Sequence, residues 1–74
     1  MSPKIPTYTP KKVLQKLQRA GFTIHRIKES HIILKSSDEN RRVTIAMHRK
    51  DLKLKTFLSI LMQAGLSFEE FLKL

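Results

Sequence analysis

Val13, Leu14 and Leu17 fall on one face of a helix, with Lys11, Lys12, Lys16 and Arg19 on its polar side. Thr9 stands where an N-cap belongs, Pro10 suits the first helical position, and Gly21 supplies a left-handed stop. This predicts an amphipathic helix of about three turns. The period then shortens to two. Phe22 and Ile24 share one side of a first strand until Ile27 breaks the phase. In the second strand, His31–Lys35, Ile32 and Leu34 point inward and His31, Ile33 and Lys35 outward. Ser36–Asn40 is turn chemistry. Arg41–Met47 alternates cleanly, with Val43, Ile45 and Met47 inward and Arg42, Thr44, Ala46 and His48 outward.

A basic connection, His48–Lys55, leads to Thr56, which is read as the cap of a second helix ending at Ala64 before Gly65. Phe57, Leu58 and Leu61 repeat the stripe of the first helix. Ser67-Phe68-Glu69-Glu70 has the form of a capping box opening a last short helix, with Phe71 and Leu72 available for packing. Ahead of Thr9, Met1–Tyr8 with Pro3 and Pro6 reads as an extended arm. The pattern gives an α+β domain spanning residues 1–74: helix, three-stranded antiparallel meander, helix, short helix. Two striped helices cover one face of the sheet. The other is left open, carrying His31, Lys35, Arg42, Thr44 and His48.

With 74 residues the chain has room for one small core and none for a large enclosed cavity. It has no cysteine, so neither disulfides nor a thiolate zinc site enter the account. No apolar run approaches the roughly 20 residues of a membrane span, and no hydrophobic secretion leader opens the chain, so a cytoplasmic protein is expected. Charge adds the most. Fifteen Lys and Arg against six Asp and Glu give a formal +9, a field suited to a polyanion, with nucleic acid favoured.

A solvent-facing imidazole exchanges protons near neutral pH, which makes His31 the first candidate for chemistry. Ser30 can orient that ring or meet a phosphate oxygen, or simply satisfy local backbone. His48 can complement His31 as an acid or contact RNA, or merely end a strand; His25 reads as a solvated surface residue. Lys28, Lys35, Arg41, Arg42, Arg49 and Lys50 gather around the open face and its edges, where they can follow a phosphate backbone, although a solvated face accounts for some of them. Three histidines without cysteine, and acids scattered along the chain, argue against a zinc site or a two-metal nuclease; no metal or cofactor is expected. The phenylalanines belong to the core, leaving Tyr8 on the arm as the one aromatic for base stacking.

Several of these pieces together resemble the HicA (YcfA-like) toxins of type II toxin–antitoxin systems. They are Ala20-Gly21-Phe22, Ser30-His31, Val43-Thr44-Ile45 with His48, and Leu58–Ser67 running into Glu69-Glu70-Phe71. Where that family usually has Gly-Ser-His, this chain has Glu29-Ser30-His31; Ala46 and Lys55 depart from a common proline and a common glycine. The resemblance implies a fold similar to the double-stranded-RNA-binding domain. It also implies metal-free cleavage of mRNA through the histidine matching His31, and neutralisation of a free monomer by a HicB-type antitoxin that joins it in a hetero-oligomer and covers that histidine. The alternative is a binding module of the same fold that holds RNA or an antitoxin without cutting.

Overall fold

The computed structural model describes residues 7–74, and its elements run α1 (Pro10–Arg19), β1 (Thr23–Lys28), β2 (His31–Lys35), β3 (Arg42–Ala46), α2 (Leu54–Ala64) and α3 (Phe68–Leu72). The arm expected over residues 1–8 lies, for residues 1–6, outside the described part. Thr9 caps α1 by accepting the Lys12 N–H at 3.3 Å, with Pro10 in the first turn. Both long helices stop in the same way. Gly21 and Gly65 take φ of 100° and 70°, and the next residue donates back to the carbonyl five earlier, Phe22 to Leu17 and Leu66 to Leu61, each at 3.0 Å. This double closure satisfies carbonyls that the last helical turn leaves free. The box at α3 is formed in full: Glu70 N–H donates to Ser67 Oγ at 3.1 Å, and Ser67 N–H to Glu70 Oε1 at 2.9 Å.

The strands form one antiparallel sheet in the order β1-β2-β3. Leu34, Val43 and Ile45 are fully buried beneath Val13 and Leu17 of α1 and Phe57, Ile60, Leu61 and Ala64 of α2, with Phe71 of α3 closing the core. Fully burying a side chain of this size contributes about 1.5–3 kcal/mol. The result is the helix, antiparallel sheet and helix of a double-stranded-RNA-binding-domain-like α+β fold. The helices lie mainly over β3. Ile24 and Ile27 of β1 therefore stay 40% and 63% exposed although they pair with the inward residues Leu34 and Ile32. At the opposite edge, α2 reaches the outer side of β3, where Gln63 Oε1 accepts the Thr44 N–H at 3.1 Å.

Four expectations need correction. Leu58 is not in the buried stripe of α2: it is 46% exposed, and Ile60 packs inward with Phe57 and Leu61. Thr56 does not cap α2. Leu52 is buried and its N–H donates to the Tyr8 carbonyl at 2.8 Å, which fixes the chain early; the helix starts at Leu54 with Lys53 at the cap position and no side-chain cap bond. Lys16 is not on a solvated face. It is 8% exposed, its stem lies along the core, and its Nζ donates to the Phe71 carbonyl at 3.3 Å while standing 4.9 Å from the Phe71 ring and 5.4 Å from that of Tyr8. Tyr8 is not free for a base either. Its ring stacks on Phe57 at 5.2 Å and meets the Phe71 ring edge-on at 5.1 Å.

Candidate functional site

Register decides what shares the open face. His31 pairs with Lys28 on one side and Ala46 on the other, at the end of the sheet where β1 turns into β2. The next row on that face is Arg26, Ile33 and Thr44; the row beyond is Thr23, Lys35 and Arg42. Alternate residues of the same strands are the buried Leu34, Val43 and Ile45, so these rows lie on the side away from the helices. His31 is exposed, as are Lys28, Arg26 and Arg42, while Lys35 is half-buried. Lys35 and Arg42 face one another directly, a placement of like charges that costs stability in a bare sheet and is relieved by a bound anion.

Arg26 is the member of this face that the alternation pattern missed. Between Ile24 and Arg26 the register of β1 shifts, leaving His25 as the extra residue of a bulge. That single insertion keeps Ile24 and Ile27 on the helix side and turns Arg26 to the open side, opposite Ile33. The signal was the broken phase at Ile27, which a bulge explains.

The turn that presents His31 is two residues long, Glu29 and Ser30, closed by the Lys28–His31 pair. Glu29 has φ of 56°, the left-handed region that suits glycine at the first position of such a hairpin. The Ser30 carbonyl accepts the Met47 N–H at 2.7 Å, which fastens the turn to the end of β3. His31 is thus held between two neighbouring strands rather than on a free loop.

Other expected residues lie elsewhere. Arg41 precedes β3 and sets its guanidinium against Gly65, so closely that a methyl group there would collide with it. That position places a cation beside the carbonyl end of α2. His48 and Arg49 follow β3 and line two neighbouring grooves, one shared with Thr9 and Lys11 at the start of α1. Lys50 lines the other, larger groove, which reaches Ala46. Among the described residues, no three His, Asp or Glu side chains come together as a metal site, and no helix is long and apolar enough to cross a membrane.

Fold and site together define a double-stranded-RNA-binding-domain-like unit with His31 set among cations on its helix-free sheet face. The family model for the HicA toxin of bacterial toxin–antitoxin systems matches residues 10–66, and the chain belongs to that family. Membership implies an antitoxin as partner. No curated protein matches the chain.

Proposed function

We propose that this HicA-family chain is an endoribonuclease toxin that cleaves mRNA without a metal ion, using His31 as its one catalytic imidazole. The observation that carries the reading is the sheet register: it supports an exposed His31 next to Lys28, with Arg26, Lys35 and Arg42 one and two rows away on the same face. In the reaction the RNA 2′-hydroxyl attacks the adjacent phosphorus, the bond to the 5′-oxygen breaks, and the products are a 2′,3′-cyclic phosphate and a free 5′-hydroxyl. His31 moves a proton, either off the attacking hydroxyl or onto the departing oxygen, a contribution of about 10²- to 10⁴-fold. Cationic side chains of the face stabilise the charge that builds on the phosphorane. Ser30, in the turn beside the ring, orients it or meets a phosphate oxygen. His48 and Arg49, past the end of β3, join Lys50 as contacts to the strand.

A HicB-type antitoxin that covers His31 silences a protein which is monomeric when free and acts in the cytoplasm. Glu29 favours a second reading. A carboxylate in the turn next to His31 opposes an approaching phosphate, which suits a module that holds RNA or the antitoxin without cutting. Incubation of the purified protein with a defined mRNA in EDTA separates the two. Cyclic-phosphate ends that disappear in His31→Ala, with a native circular dichroism spectrum, identify the enzyme, and induced His31→Ala then leaves growth intact. Full cleavage by His31→Ala, or cleavage that needs added magnesium, rejects it.

A further inference from the structure

The larger groove beside β3 is not used by proton transfer at His31. It encloses about 650 Å³ between the end of β3 and the start of α2, within the roughly 300–1,000 Å³ of sites that hold small organic ligands, so it has room for more than a phosphate ion. Its lining includes Ala46 and the buried Leu52 together with His48, Arg49, Lys50 and Lys53. One acid lines it, Asp51, whose Oδ2 accepts a hydrogen bond from Thr7 Oγ1 at 2.7 Å. Ala46 is also the cross-strand partner of His31, so the groove's lining begins one strand across from that residue. A lining that joins apolar Ala46 and Leu52 to Arg49, Lys50 and Lys53, next in register to His31, has the chemistry of a nucleotide: apolar contact for base and ribose, cations for phosphates.

We infer that this groove holds the segment of single-stranded RNA next to the cleaved bond, with Lys50 and Lys53 on its phosphates and Ala46 and Leu52 under a ribose or base. The inference rests on the ribonuclease reading. It adds Lys53 to the RNA-binding set and makes the substrate a strand that continues past His31 and around the β3–α2 connection. An acidic protein segment is the competing occupant. Three cations against one acid in the lining, with Ala46 paired to His31, favour RNA.

The test is equilibrium binding of 2′-O-methyl RNA, which cannot be cut, to the full chain by fluorescence anisotropy, with a tetramer and a dodecamer as probes. Lys50→Ala with Lys53→Ala removes two phosphate contacts, so dodecamer affinity at 0.15 M salt should fall about tenfold and the slope of log affinity against log salt should flatten by about 1.4. Tetramer binding should change less than dodecamer binding. Lys53→Asp is the second variant. An aspartate suits the vacant cap position of α2, so its melting temperature should hold or rise while dodecamer affinity falls, which excludes misfolding as the cause. Unchanged dodecamer binding in both variants overturns the groove assignment and leaves the His31 reading standing. Wild-type protein that binds neither probe overturns the functional reading, and the groove with it. Substitutions that release a co-purified antitoxin without weakening RNA binding assign the groove to protein and likewise overturn the proposal.

Discussion

Glu29 keeps a backbone conformation that a side chain disfavours by about 1–2 kcal/mol, at the residue that starts the turn into His31. Glu29→Gly should therefore raise stability by about 1 kcal/mol despite the greater freedom glycine gives the unfolded chain. Urea unfolding followed by circular dichroism measures it, and a lower midpoint would contradict a left-handed residue at this site. The same exchange removes a carboxylate from the neighbourhood of the candidate imidazole, so RNA affinity should rise together with stability. Gly65 shows the opposite case. Its φ of 70° and the Arg41 guanidinium against it both oppose a side chain, so Gly65→Ala should cost about 1–2 kcal/mol, part of which Arg41→Ala in the same chain should return.

Among the elements, α2 and α3 contrast at their starts. Nothing in the side chain of Lys53 caps α2, whereas Ser67 and Glu70 cap each other at α3. Lys53→Asp or Lys53→Ser should stabilise by about 1 kcal/mol, read as a higher thermal midpoint. At α3 the hydrogen bonds from the Ser67 N–H and hydroxyl hold the exposed Glu70 carboxyl below its ordinary value of 4.5. The unfolded chain then takes up that proton first. The contribution of the box is complete above pH 4.5 and drains away as pH falls through 4.5 toward the lowered value. Glu70→Gln should show a flatter decline of stability below that pH, and an acid limb identical to wild type would mean the box adds nothing.

At this scale most of the architecture was legible. The period-2 runs at His31–Lys35 and Val43–Met47 each have one apolar side, and the pairs Thr9-Pro10 and Ser67-Glu70 carry their own start signals. What escaped depends on contacts between distant parts of the chain. The start of α2 follows from Leu52 tied to Tyr8, and the burial of Lys16 follows from the Phe71 carbonyl, 55 positions away. Arg26 on the open face follows from a bulge, and a bulge is a property of two strands rather than of one.

For the whole molecule, a formal +9 on 74 residues means that the proposed association with RNA is governed by counterion release. Log affinity for a single strand should fall with log salt at about −0.7 for each phosphate neutralised, and a flat response would leave the charge without a nucleic-acid role. Replacing Arg26 or Arg42 should lower that slope, whereas Arg41→Ala should lower it less because its guanidinium is engaged at α2. The sequence pattern grouped Arg41 with Arg42 and passed over Arg26. Their separation comes from three-dimensional placement, one turned outward by a bulge, one on the outward phase of β3 and one laid on a helix end.

The Gln63 side chain over β3 carries a consequence for the handling of the protein. An outermost strand with a free amide invites a second molecule to extend the ladder, and the route from there runs to filaments. By taking up the Thr44 N–H, Gln63 acts as a stopper against such growth. Gln63→Leu should leave the chain folded yet make it cloud on concentration, first at high ionic strength, where the mutual repulsion of so many cations is screened away.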